Sequence, residues 1–295
     1  MVDYRWSDYF AHEILQRDGY VTVLTEYWGN SGVAKDFLVD EIASDEGRVD
    51  LFLPKDGGSV TVQVSGGADS AILLYSLAKK VQEIGIDLKI HPLTYVRDKP
   101  HNLISAPGVV EWIQNRLGFK FEQHLIVNAG REDKMWNDRL RARRQTLSIK
   151  HNIIMEYDAQ SSLPGYPGPV PEEARRDLDH VISALGERIS DPETRIKELG
   201  VYASSHYLKK PFWFKDKAFI ASLYKTHDVL DLLPHTRSCE SLPHQNENYK
   251  LTCFNSKYLT ERGHQCWWCT ERKWAFAKYD ANYQDFKTKH RFEAS

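Results

Sequence analysis

The stretch from Ser59 to Ile84 constrains the fold more than any other part of the chain. Ser59 to Val64 (SVTVQV) alternates apolar and polar residues and is rich in β-branched side chains, which predicts a strand. Ser65 to Ser70 (SGGADS) breaks it with two glycines, and from about Ser70 to Ile84 apolar residues recur at helical spacing. A strand that passes through a glycine turn into a helix continues most readily in a second, parallel strand, because the helix carries the chain back along the sheet face. The sequence supplies that continuation. Asp87–Tyr95 reads as a strand, Val109–Leu117 as a helix, Phe119–Val127 as a strand, Asp133–Lys150 as a helix and Ile153–Tyr157 as a further apolar strand. The expected fold is α/β, a doubly wound parallel sheet with helices on both faces, in a domain spanning residues 59 to 234.

Residues 1 to 58 read as an N-terminal extension packed on that core, with helices expected at Ser7–Gln16 and around Ala34–Ala43. Beyond Tyr157 the segment SSLPGYPGPVPEEAR, starting at Ser161, holds four prolines, the composition of an ordered functional loop or a lid. Further helices are expected at Glu172–Arg188 and after Pro192. Charged residues are 27% of the 295 yet cancel to a net charge of -2, so no global field draws the chain to nucleic acid or to an anionic membrane. Any phosphate site must be local. The opening MVDYRWSDYF carries acids and no apolar h-region, and no stretch reaches the roughly 18 apolar residues of a membrane span, so a cytoplasmic location is expected. A homodimer is compatible with this composition.

Two glycines between strand and helix let successive amides turn toward one point, forming an anion-binding nest at the positive end of a helix. Ser65, Gly66, Gly67, Ala68, Asp69 and Ser70 are therefore candidate phosphate-binding residues, with hydroxyls offered by Ser65 and Ser70. Asp69 has three open roles: capping the helix, accepting from loop amides, or holding magnesium beside the phosphates. The loop lacks the Lys-Ser/Thr ending of a Walker A sequence and the third glycine of a dinucleotide fingerprint. Asp158, at the end of the last predicted strand, stands where doubly wound sheets place ligand-contacting residues. In the run RLRARR, Arg139 and Arg143 share a helix face with no acid between them, which suits either a phosphate contact or a solvated face.

All four cysteines fall between Cys239 and Cys269, the distribution of a local site, and a reducing cytoplasm favours metal over disulfides. Cys239, Cys253, Cys266 and Cys269 form C-x13-C-x12-C-x2-C, whose closing CxxC offers two thiolates to a tetrahedral zinc ion. Four sulfurs would close the shell and make the metal structural, pinning a C-terminal segment from residue 235 to 295. His235, His244 or His264 can stand in for one sulfur, His264 before the others.

The SGGADS string between a strand and a helix resembles the SGGxDS pyrophosphate loop of the PP-loop ATP pyrophosphatases, doubly wound enzymes that cleave ATP to AMP and pyrophosphate. Within that superfamily the C-terminal third is similar to the 7-cyano-7-deazaguanine synthase family. Phe212, Lys217 and Ile220 lie in a PF-x4-K-x2-I string, Ser238-Cys239 follows where that family places its first metal cysteine, and CWWCTERKWAF (Cys266, Cys269, Arg272, Ala275, Phe276) resembles its ending. The resemblance implies ATP and magnesium at the loop, zinc at the cysteines, and Asp69 and Lys217 as catalytic residues, Lys217 steadying the departing pyrophosphate. It also implies a carboxylated deazapurine as small-molecule acceptor, contacted near Tyr166, and ammonia as nitrogen donor. The chain departs from the pattern at Cys253, which stands apart from the closing CxxC, and at Gly168-Pro169, where the family has Asp-Cys. The superfamily also holds tRNA-modifying and sulfur-transferring enzymes and sulfonucleotide reductases, and a non-catalytic zinc-stabilised nucleotide-binding module could keep the same fold. Balanced charge points away from RNA, and the intact loop points away from lost catalysis.

Overall fold

Two sheets share one core. The computed structural model describes residues 12–17, 21–28, 33–96, 101–128, 136–161, 208–213, 215–237 and 267–279. Its first strands, β1 (His12–Arg17), β2 (Val21–Trp28), β3 (Val33–Ser44) and β4 (Gly47–Pro54), form an antiparallel sheet in that order. This corrects the helix expected at Ala34–Ala43 and, from His12 onward, the one expected at Ser7–Gln16, whose first residues lie outside the described ones. The local signal of VAKDFLVDEIAS is ambiguous, because its apolar residues fit both periods. Its neighbours decide: β2 is rich in β-branched residues, β4 alternates Val49, Leu51 and Leu53 inward, and Val39 pairs with Thr22 on one side and Phe52 on the other.

The parallel sheet follows. Its strands are β5 (Gly58–Gln63), β6 (Leu88–Val96), β7 (Leu125–Asn128), β8 (Ile153–Tyr157) and β9 (Leu208–Lys209), in the order β7-β6-β5-β8-β9 with every pairing parallel. The helices α1 (Ala68–Ile84), α2 (His101–Leu117) and α3 (Trp136–His151) make the crossovers, followed by α4 (Lys217–Thr226), a 3₁₀ turn (Leu230–His235) and α5 (Trp267–Ala277). The chain steps outward from β5 through β6 to β7, then returns to lay β8 on the other side of β5. That reversal makes the doubly wound arrangement and opens a crevice at the carboxyl ends of β5 and β8. The strand expected at Phe119–Val127 is shorter, beginning only at Leu125, and the helix expected from Val109 begins earlier, at His101. The helices expected at Glu172–Arg188 and after Pro192 lie outside the described residues.

β5 is the central strand, with Val60, Thr61 and Val62 wholly buried. α1 is buried almost all round through its first three turns, from Ala68 to Ala78 except Asp69. A helix so enclosed has protein on every side. The parallel sheet lies beneath it, and the cluster around it includes Ile113 of α2, Phe219 and Tyr224 of α4, and Phe37, Ile42, Leu51 and Leu53 of the antiparallel sheet. On the opposite face of the parallel sheet, α3 seats Leu147 against Leu93, Tyr95 and Leu125.

A recess of about 210 Å³ lies beside the second half of α1, away from the glycine loop, and is lined by Ile42, Ser76, Lys80, Glu83 and His227 among others. His227 Nε2 is 3.2 Å from Ser76 Oγ. Burial, reinforced by the Lys79 and Lys80 ammonium groups, pushes the imidazole down to about 4 from its ordinary 6.5. The unfolded chain therefore takes up this proton before the native protein does, and stability should fall as pH drops from about 6.5 through about 4. His227→Gln keeps a partner for Ser76 without a titrating ring, so urea midpoints measured across that window should flatten. An unchanged acid slope in the variant would assign the loss to other groups.

Candidate active site

Three strand ends meet at the crevice. Past β5, Val64 donates its N–H to Leu93 O at 2.7 Å, and Thr94 Oγ1 donates to Val64 O at 2.7 Å, so the chain enters the loop from a fixed point. Gly66 has φ of +80°, and a Cβ there would lie 2.1 Å from Ser105 Oγ and 2.9 Å from Ala106 N of α2. Both the dihedral and the close approach require glycine. Gly67 is the N-cap of α1, without a side-chain cap, and its carbonyl accepts the first helical bond from Ala71 N at 3.1 Å.

The serines close the loop on itself. Ser70, buried, donates Oγ to Gly67 O at 3.2 Å and accepts from Ser65 N at 3.2 Å. Ser65 Oγ lies 3.2 Å from Ser70 Oγ and accepts from Gly67 N at 3.3 Å, but Ser65 is exposed. Ser70 thus shapes the loop, while Ser65 presents a hydroxyl to the crevice. The amides of the first turn of α1 lack carbonyl partners four residues earlier within the helix, and they carry its positive dipole end.

Asp69 does not cap the helix. Both its oxygens face the Lys217 ammonium, at 2.6 and 2.7 Å, and Oδ2 also accepts from Ser161 Oγ at 3.2 Å. Lys217 opens α4, where Asp216 is the N-cap and accepts from Phe219 N at 3.0 Å. Burial works against the Lys217 charge, but the Asp69 carboxylate and, further off, Glu271 of α5 outweigh it and hold the ammonium above its ordinary pKa. A buried cation and a carboxylate therefore flank the N-terminal end of α1.

Asp158 forms a local turn: Oδ1 accepts from Gln160 N at 3.1 Å and Oδ2 lies 3.6 Å from Lys210 Nζ. Lys210 also donates to Gln160 Oε1 at 2.8 Å and sits 4.2 Å over the Trp213 ring. On the α3 side of the sheet, wholly buried Glu156 accepts from Gln63 Nε2 at 2.5 Å, Arg144 Nε at 3.0 Å and the Tyr95 hydroxyl at 3.2 Å. Burial raises its pKa and Arg144 opposes the rise. Arg144 is thus an internal partner, Arg143 is exposed, and the Arg139 side chain lies outside the described residues.

Sequence reading misses this cluster, although an acid in the apolar strand IIMEY is a signal, since a buried carboxylate requires partners. It also misses Ser105, Ser161 as a partner of Asp69, and Arg237, whose backbone N–H donates to Gly66 O at 2.6 Å. Tyr166, Gly168, Pro169, Cys239, Cys253, Cys266, His244 and His264 lie outside the described residues. Of Cys269 only the backbone is described, in α5, and His235 closes the 3₁₀ turn with its ring 6.4 Å from that of Trp112. Among the described residues no three His, Cys, Asp or Glu side chains gather into a metal-binding group, and no helix is long and apolar enough to cross a membrane.

No family model matches the chain, and no curated protein matches it. Among solved structures it is similar to the U34-tRNA thiolase NcsA from Methanococcus maripaludis with its 4Fe–4S cluster, at 15% identity and a TM-score of 0.37. The match covers 65% of this chain and 61% of that one, so it spans less than two thirds of the neighbour's length. A likeness this distant does not bear on activity, and the fold rests on the strand order above.

The ion pair makes a measurable prediction. Asp69→Asn leaves the buried Lys217 ammonium without its counter-charge and Lys217→Met leaves the partly exposed Asp69 without its cation, so each should lower unfolding free energy by about 1–3 kcal/mol, Asp69→Asn more than Lys217→Met. The double variant should lose less than the sum of the two, by roughly 1 kcal/mol or more, because the groups touch. Strict additivity in denaturant unfolding would mean that the two charges do not stabilise each other.

Proposed function

We propose that the chain is an ATP-dependent ligase that adenylates an acceptor carboxylate, releases pyrophosphate, and lets ammonia displace AMP. One observation supports it above the rest: the Ser65–Ser70 loop opens a long buried helix at the switch point of a doubly wound sheet, with Lys217 and Asp69 beside it. Its likeness to the SGGxDS loop of the PP-loop ATP pyrophosphatases gives the reading its leaving group.

In the first step a carboxylate oxygen of the acceptor attacks the α-phosphorus of ATP. The bond from that phosphorus to the α,β-bridging oxygen breaks, and pyrophosphate leaves with the electron pair. Loop amides, the Ser65 hydroxyl and Lys217 receive its charge from fixed positions, which is where preorganised donors lower a barrier most. Lys217 has three donors, so it can keep Asp69 and add a phosphate oxygen. Ammonia then attacks the acyl carbon, the carbon–oxygen bond to AMP breaks, and loss of a proton from nitrogen leaves the amide. A second adenylation, on the amide oxygen, removes that oxygen with AMP and yields the nitrile. No enzyme nucleophile is required.

Both Asp69 oxygens face the Lys217 ammonium, so Mg²⁺ would share this one carboxylate with Lys217 and take its other ligands from substrate phosphates and water. When bound, the ion supplies charge neutralisation on the leaving phosphates. The acceptor proposed is a carboxylated deazapurine with Tyr166 as a contact, both resting on the family resemblance, and with Asp158 as a contact from its place at the end of β8. Adenylation of a tRNA base, followed by a sulfur or amine nucleophile, is the alternative that an acceptor panel separates.

Protein incubated with ATP, Mg²⁺, ammonium and either carboxylated deazapurines or unmodified tRNA should release AMP and pyrophosphate with the deazapurine only. Asp69→Ala and Ser65→Ala should each cut turnover by roughly 100-fold or more, the scale of a lost preorganised charge-stabilising group. Chromatography showing ADP and phosphate would overturn the reaction class, and turnover with tRNA alone would replace the acceptor.

The cysteines carry a separate proposal, a structural zinc ion held by Cys239, Cys253, Cys266 and Cys269, with His264 as substitute for one. Elemental analysis should find about one zinc per chain, and chelation should lower the melting temperature before it changes the chemical step. Protein from zinc-replete medium that holds iron, or no metal, would remove the proposal.

A further inference from the structure

We infer that Arg272 is a positioning residue for the glycine loop, acting through the Leu233–Thr236 corner; this rests on the loop being the ATP site. Arg272 lies on α5, three residues beyond Cys269, and is 1% exposed. Its guanidinium grips the end of the 3₁₀ turn. Nη1 donates to Thr236 O at 3.2 Å, while Nη2 donates to Leu233 O at 3.0 Å and to Thr236 Oγ1 at 2.8 Å. Thr236 reinforces the corner, its N–H and its hydroxyl both donating to Leu233 O, at 3.0 and 2.9 Å. A planar guanidinium can serve several acceptors of a corner at once, which an ammonium does less well.

The next residue delivers the effect. Arg237 N donates to Gly66 O at 2.6 Å, so the carbonyl between the two glycines is tied to the corner that Arg272 holds. The peptide between Gly66 and Gly67 is planar and trans, so fixing that carbonyl outward turns the Gly67 N–H the opposite way, into the loop, where it meets Ser65 Oγ at 3.3 Å. Between two glycines a peptide flip meets little steric resistance. Flipped, the loop would present a carbonyl oxygen where an anion is to bind, and acceptor would face acceptor. The Arg237 bond opposes the flip from one side, and Ser105 with Ala106 N closes on Gly66 from another. In this arrangement Arg272 acts through the corner, keeping the nest in its anion-binding state.

Titration calorimetry of the full chain with Mg²⁺·ATP, and separately with Mg²⁺·pyrophosphate, tests this without knowledge of the acceptor. Arg272→Met should weaken both ligands roughly 5- to 30-fold in protein that still melts well above the assay temperature. Arg272→Lys should recover part of the loss. Arg237→Pro should weaken binding more than Arg237→Ala, because only proline removes the N–H. Thr236, at φ -107° and ψ 150°, already has a conformation that accepts a following proline. Where Arg272→Met does not fold, the comparison of proline with alanine at Arg237 decides. Folded variants that bind both ligands as tightly as wild type, with only the melting temperature lowered, would overturn the positioning role. Wild-type protein that binds neither ATP nor pyrophosphate would overturn the nucleotide reading instead.

Discussion

The helix behind the glycine loop has nowhere to move, and the rest of the carboxyl edge depends on that confinement. Ala68, Ala71, Ile72, Leu73, Leu74, Leu77 and Ala78 are wholly buried, and the small residues of the first turn let Tyr224 of α4 reach the backbone, donating its hydroxyl to Ala68 O at 2.8 Å. Each large apolar side chain sealed in this way contributes about 1.5–3 kcal/mol relative to exposure. The helix N-terminus is thereby a fixed point, and amides aimed from a fixed point need no reorganisation when an anion arrives.

Charge at this edge is arranged in pairs that each have at least one buried member. Asp69 meets Lys217, Glu156 meets Arg144, and Arg272 meets the carbonyls of the 3₁₀ corner. None of these groups is cheap to bury alone, and each is tolerated because its partner is already in place. With a net charge of -2, the chain has no general positive field, so attraction for an anion has to come from oriented amides and a few cations at one spot.

Much of the parallel half of the fold is legible in the chain. Ser59–Val64 and Ile153–Tyr157 become β5 and β8 within a residue, because buried central strands have long β-branched or apolar runs bounded by clear breakers. The antiparallel sheet is not legible in the same way. VAKDFLVDEIAS has no strict period of its own, and its strand conformation comes from hydrogen bonding to β2 and β4. Phe119–Val127 errs in the other direction: Glu122 N–H still reaches Ile90 O of β6 at 2.9 Å, but the regular parallel ladder runs only from Leu125 onward.

The sequence by itself determined the loop. Its six residues are consecutive, and what they require, a left-handed glycine and a helix start, is set by sterics within a few bonds. The partners of that loop were decided only by the tertiary structure. Lys217 lies 148 residues from Asp69 in sequence, Ser161 lies 92 away, and Arg237 reaches Gly66 from the far end of a 3₁₀ turn. No local preference encodes such pairings. They follow from the strand order, which brings the ends of β5, β8 and β9 to one edge and leaves each buried charge a single place to be satisfied.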